Sequence, residues 1–137
     1  MLRSNKDKGF TIIEVVLVLA IAGLIFLTVF LALPALQKSQ RDNARRQEVG
    51  NVVAALQSYL ADNNALPTAI AAFSSYYGGN ASLAQTDTVT ITTVSTGQST
   101  STMYITTGQT CATASGTARN AAVRINLESG GTYCKAV

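Results

Sequence analysis

The chain has 137 residues, a formal net charge of +3, no histidine and two cysteines, which leaves room for about one domain on a scale of ~100–200 residues each. Without histidine, and with its seven acidic residues scattered, it lacks the ingredients of His-based triads and most zinc sites, and no carboxylates pair at a spacing useful for acid–base work. Gly78-Gly79 leads into neither Lys-Ser/Thr nor a helix start, so no phosphate loop is present; no enzymatic activity, catalytic residue, metal or cofactor is expected.

Residues 1–9, MLRSNKDKG, are short, polar and basic, and without them the formal charge of +3 falls to about +1. The basic isoelectric point is therefore weak support for a nucleic-acid partner, whose footprint is a clustered basic face. From Val15 to Leu36 no charged residue occurs, and at about 1.5 Å per residue this run can cross a hydrocarbon core of ~30 Å. A secretory signal peptide would carry a shorter apolar region followed by a small-residue cleavage site. No A-x-A site follows the block, so the apolar segment is expected to be retained. Arg3, Lys6 and Lys8 before the span nearly balance Lys38, Arg41, Arg45 and Arg46 after it. The cysteine pair tips the expected topology toward a single pass with the C-terminus outside. The Lys38–Arg46 cluster reads as a solvated or lipid-headgroup face, with DNA contact as the alternative.

Helical patterning continues past the apolar run. Val49, Val52, Val53, Leu56, Tyr59 and Leu60 recur at three- and four-residue steps, with Gln47, Glu48, Asn51, Gln57 and Ser58 at the other positions. Residues 10 to about 62 thus predict one long helix, apolar all round and then amphipathic. Pro34 removes a backbone donor and crowds the preceding turn, predicting a kink or local melting. Asp62-Asn63-Asn64, with Pro67 beyond, ends the helix. A short helical turn is possible at Ala69–Phe73, and Tyr77-Gly78-Gly79-Asn80 reads as a turn. Val89–Thr92 and Met103–Thr106 alternate and can pair across Ser95–Ser101. Val123–Leu127 turns through Ser129-Gly130-Gly131 into Thr132–Ala136. The expected fold is α+β: a long N-terminal helix whose second half packs on a four-stranded antiparallel sheet built from two hairpins. The expected organisation is a basic leader (1–9), a membrane-spanning or filament-core helix (10–36) and a globular unit (37–137).

Cys111 and Cys134 lack the close spacing of a metal knuckle or redox motif. Behind a membrane span they read as one disulfide made in an oxidising space, the alternative being two buried thiols. Closing a loop of this size stabilises a domain by ~3 kcal/mol in the chain-entropy account.

The informative stretch is Lys8-Gly9-Phe10-Thr11-Ile12-Ile13-Glu14, directly ahead of the apolar run. Glu14 sits one turn inside a lipid-facing helix, where a carboxylate costs about 2.5–3.5 kcal/mol on insertion scales. If the chain were cut after Gly9, the new amine of Phe10 and Glu14 would stand at i and i+4. They could meet within one helix or between staggered neighbours, where an unpaired charge in an apolar core is heavily penalised and so sets register. Alternatively Glu14 merely snorkels to the headgroups. Gly9 suits a protease because a residue without a side chain lets backbone enter a narrow cleft.

This stretch, a basic leader ending in Gly, then Phe, Thr, two apolar residues and Glu opening a long apolar helix, resembles the processing and methylation motif of type IV pilins and of pseudopilins in type II secretion and DNA-uptake systems. The likeness covers residues 8–36, and more weakly Ser58 to Thr68; beyond residue 70 only the layout is similar. The resemblance implies that a membrane-embedded prepilin peptidase cuts Gly9–Phe10, that Phe10 is N-methylated, and that Glu14 pairs between subunits during assembly. Gly23 stands where the family commonly has a glycine, and a small residue there lets helices approach closely. The family's helix-disrupting proline commonly falls at the position of Leu31, whereas this chain has Pro34. Cys111 and Cys134 are similar to the pair that pins the C-terminal loop in many pilins.

The implied function is structural. The helix anchors the subunit in the cytoplasmic membrane, is extracted by a platform and a cytoplasmic ATPase motor, and is then buried among sister helices in an extracellular homopolymer. A major pilin of a surface filament is the first expectation, a pseudopilin the second, and an anchored domain that never polymerises a third. Many secretion pseudopilins bind calcium in an acidic C-terminal loop, where this chain offers Glu128 and a cysteine pair. The hydroxyl-rich C-terminal region can carry O-linked sugars or simply form ordinary strands, and Tyr76 and Tyr77 read as packing residues. Adhesion, motility, DNA uptake and secretion are not separable from the residues alone.

Overall fold

The structure, a computed structural model, describes residues 9–79, 83–86, 88–92, 99–112 and 116–137. Leader residues 1–8, Asn80 of the expected turn and residues 95–98 of the expected strand connection lie outside the described residues. The elements in chain order are helix α1 (Ile12–Asn63), helix α2 (Ile70–Tyr77) and strands β1 (Thr88–Thr92), β2 (Thr102–Thr107), β3 (Ala121–Asn126) and β4 (Thr132–Ala136). The chain divides into two compact units between residues 37 and 38, each described by itself below.

In the first unit, α1 is apolar on every side. Its side chains face outward all round, from Ile12, 85% exposed, to Leu31, 74% exposed. A helix so exposed and so apolar is long enough to cross a membrane; in water its surface would be an unburied liability. The helix runs unbroken through Pro34.

In the second unit, the amphipathic half of α1 lays Val49, Val52, Val53 and Leu56 against the sheet, where they meet Val89, Met103, Ile105, Val123 and Ile125. Phe73 of α2 is fully buried and closes one end of this core against Tyr59 and Tyr77. The helix stops where the Asp-Asn-Asn run predicts, Asn64 taking a left-handed φ of 55° with its amide still on the Leu60 carbonyl at 2.8 Å. Helix α2 is a full element rather than a single turn. It ends at Gly78, whose φ of 80° only a residue without a side chain adopts cheaply.

The sheet order is β1-β2-β3-β4, and it is mixed rather than antiparallel. β2–β3 and β3–β4 are antiparallel, but β1 runs parallel to β2, with Thr88 opposite Thr102 and Thr92 opposite Thr106. The expected first hairpin is therefore corrected. Period-two alternation is the same in either direction; only the connection decides. In β3 every residue from Ala121 to Ile125 is buried, on both faces of the sheet.

Candidate functional site

The site begins where α1 begins. The first amides of a helix have no intrahelical acceptor, and Thr11, just ahead of Ile12, supplies the cap. Its hydroxyl donates to Glu14 Oε2 at 2.7 Å and its amide donates to the same oxygen at 2.9 Å. The Glu14 amide in turn donates to Thr11 Oγ1 at 3.4 Å. This reciprocal pairing is a capping box, and it holds the Glu14 carboxylate by one oxygen. Among the described residues, Oε1 receives no hydrogen bond. The signature Thr-x-x-Glu was legible at positions 11–14, yet reading Glu14 only as a charge in an apolar segment passed over Thr11 as its holder.

Gly9 and Phe10 precede the cap in the open, Phe10 being 89% exposed. Gly23 lies on the exposed apolar surface, and a Cβ added there would meet nothing within 4 Å. Its missing side chain therefore leaves a notch available to an incoming helix.

The basic cluster after the span is reorganised relative to the sequence expectation. Arg45, at 5% exposed, and Asp42, at 3%, are buried. Arg45 donates to Asp42 Oδ1 at 3.2 Å and to Glu128 Oε1 at 2.8 Å, while Arg41 grips Glu128 with Nε and Nη2, the shortest contact being 2.6 Å. Asp42 also accepts the amides of Glu128 at 2.7 Å and Ser129 at 2.9 Å. The turn after β3 is thus bolted to the helix. Positions 42, 45, 49, 52 and 56 share one helical face, so the cations expected on a solvated or headgroup surface partly point inward. Arg46 stays exposed, its guanidinium 5.5 Å from the ring centre of Tyr133, and Lys38 is exposed as well.

Electrostatics follow from those contacts. Burial pushes the Asp42 carboxyl up, but hydrogen bonds from Ser129, the Glu128 amide and Arg45 outweigh it and hold the group at about 2. Hydrogen bonds from Arg41 and then Arg45 hold Glu128 at about 2. Glu48, expected on the polar face, is also buried. It accepts the amides of Ala84 and Gln85, each at 2.7 Å, and the Thr86 hydroxyl at 2.6 Å, fastening the segment ahead of β1.

Cys111 and Cys134 form a disulfide. Tyr76 donates its hydroxyl to Asp62 at 3.1 Å and packs edge-on against Tyr59, a packing role. Among the described residues there is no cluster of His, Cys, Asp or Glu able to hold a metal.

Residues 4–30 match the family model described as the prokaryotic N-terminal methylation motif. No curated protein and no solved structure matches the chain. The matched segment contains Gly9, Phe10, the capping box and Gly23, and the chain carries the signal motif shared by type IV pilins and pseudopilins.

Proposed function

We propose that this chain is the precursor of a type IV pilin-like filament subunit, with a major pilin of a surface filament as the specific assignment. The carrying observation is the coincidence of the methylation motif at residues 4–30 with a helix whose apolar side chains are exposed all round and whose first turn holds one acid. Burying that surface against lipid or against sister helices is driven by the same removal of apolar area from water, so one segment serves as anchor and as filament core.

A prepilin peptidase cuts Gly9–Phe10, and the new Phe10 nitrogen is methylated. The capping box presents Glu14 with Oε1 free for the amine of a neighbouring subunit. An assembly platform and ATPase motor lift the subunit out of the cytoplasmic membrane. The globular unit becomes the filament surface. Commitment of Glu128 to Arg41 and Arg45 favours the pilin over a calcium-loop pseudopilin, since the C-terminal acid is already spent. With Arg41 and Arg45 paired to Glu128, only Lys38 and Arg46 of the Lys38–Arg46 cluster stay outside its ion pairs among the described residues, which does not favour a DNA-binding role.

The test is electron microscopy of filaments sheared from the native host, with mass spectrometry of the subunit. Filaments built from chains beginning at N-methylated Phe10 are expected. Subunits that retain Met1 and remain separate in the membrane, with the assembly machinery present, would overturn the reading.

A further inference from the structure

Because β1 and β2 run parallel, Thr92 and Thr106 come side by side at one end of the sheet. A groove of about 890 Å³ opens there, lined by the connection that follows α1, by the last residues of β1, by the residues leaving β2 and by Arg119 ahead of β3. All of these belong to the second unit. The volume falls within the ~300–1,000 Å³ of ordinary ligand sites.

Arg119 is exposed, and its Nη2 donates to Asn64 Oδ1. Asn64 is itself held in place, with a left-handed φ of 55° and its amide on the Leu60 carbonyl at 2.8 Å. A neutral amide oxygen orients the guanidinium without cancelling its charge. Among the described residues no carboxylate lies within ion-pair reach of Arg119, so most of its five N–H donors remain for an outside anion. The Thr68 and Thr107 hydroxyls line the same groove, beside the half-buried apolar side chains of Leu66 and Ile91.

This arrangement selects its ligand. A planar fork of donors matches the two oxygens of a carboxylate, and one cation balances a monoanion, whereas a phosphate dianion calls for more. The walls of a cleft focus the field of that single charge. Among the described residues β1 is the outermost strand on its side of the sheet, and Thr88–Thr92 carries neither a charge nor a proline to keep an added chain away. An extended chain lying along β1 gains main-chain hydrogen bonds, seats an apolar side chain on Leu66 and Ile91, and ends at Arg119.

We propose that this groove captures the carboxyl end of an extended apolar peptide, with Arg119 receiving the terminal carboxylate and Thr68 and Thr107 bonding the main chain beside it. The globular unit then carries a recognition site of its own, apart from the motif at residues 4–30. The site holds whether or not the chain polymerises.

The experiment titrates the full chain in detergent micelles with N-acetyl-alanyl-valine, following the amide chemical shifts of Leu66 and Gly108. Saturable binding with a Kd below about 1 mM is expected. The same dipeptide with its carboxyl group amidated should bind at least about tenfold more weakly, a comparison that needs no variant. Arg119→Gln should weaken the acid by at least about tenfold and leave the amide unchanged, and Arg119→Lys, which keeps the charge but not the fork, should fall between. Absence of saturable shifts up to about 10 mM overturns the proposal, and so does equal affinity for acid and amide. Glucuronate or inorganic phosphate binding as tightly as the dipeptide would also overturn it, and would mark a site for acidic sugars or phosphate instead.

Discussion

Replacing Asp42 by alanine removes one buried carboxylate and three separate restraints. The amides of Glu128 and Ser129 lose their acceptors at 2.7 and 2.9 Å, and Arg45 loses one of its two anionic partners. These amides are only part-buried, so each lost acceptor costs at most about 1 kcal/mol once water can replace it, whereas removing one partner of the buried Asp42–Arg45 ion pair costs ~3–5 kcal/mol. These losses share one side chain and are not additive, so the expected total is about 3–5 kcal/mol. That is a large part of the ~5–15 kcal/mol that holds an ordinary domain together. Asp42→Asn keeps one acceptor oxygen and the side-chain shape, and should cost roughly half as much.

The assay is urea unfolding of the full chain in detergent, followed by tyrosine fluorescence, which five tyrosines and no tryptophan make clean. A loss below about 1 kcal/mol for Asp42→Ala, the size of an exposed pair, would refute the claim that this cluster bolts the turn to the helix. The same site sets an acid limit. The folded carboxyl titrates at about 2, below the ordinary ~3.9. Its stabilisation is therefore complete above about pH 4 and disappears as pH falls through about 2. Asp42→Asn should reduce the slope of the stability–pH curve in that window, the remainder coming from Glu128, also held at about 2, and leave the curve unchanged near neutrality apart from a constant offset.

Phe73→Ala empties a fully buried position between Tyr59 and Tyr77 and should cost ~3–5 kcal/mol in the same unfolding assay. Glu48→Gln weakens the acceptor shared by Ala84, Gln85 and Thr86; about 1.5–3 kcal/mol should be lost, seen first as faster hydrogen exchange at the Ala84 and Gln85 amides. Glu14→Ala should leave the unfolding midpoint of the globular unit unchanged and leader removal intact, while sheared filaments disappear from the medium; normal filament yield would remove Glu14 from assembly. Thr11→Val should lower filament yield with rescue by Thr11→Ser, because only a hydroxyl at residue 11 can both donate to Glu14 and accept its amide.

Legibility followed the range of the interactions. The long helix, its end at Asp62-Asn63-Asn64, the β3–β4 hairpin and the apolar face from Val49 to Leu56 all rest on local periodicity or turn chemistry, and they stand where the residues predict. The direction of β1 depends on the path of residues 93–101, which alternation does not encode. The ion cluster joins positions 42 and 45 to 128, and Arg124 finds two of its acceptors, Gln109 and Thr110, in the segment after β2. Such pairings need the topology first. Glu48, read on the polar face although it stands one helical turn before Val52, was the local warning, since an acid on that side must find donors or be expelled. The Thr11–Glu14 box was the other local signal, and lay within reach of a capping rule.

Those long-range polar contacts lie within the second unit, as does its described core. The core cluster draws on Val49 and residues beyond it, and the ion cluster begins at Arg41. A modest apolar core is then supplemented by three fasteners: Asp42 and Glu128 at the β3–β4 turn, Glu48 ahead of β1, and the disulfide, whose Cys134 stands opposite Arg124. Among the described residues these fasteners use side chains from Arg41 onward, so the exchange of apolar environments proposed for residues 10–36 leaves them in place. The proposed subunit, stored in lipid and later buried among its copies, calls for fasteners of that kind. Substitutions of exposed apolar side chains in the first unit should therefore separate cleanly from those in the second. Leu31→Ala should leave the urea midpoint of the globular unit where it was, within about 0.5 kcal/mol. A shift as large as that of Phe73→Ala would mean that the two segments share a core after all.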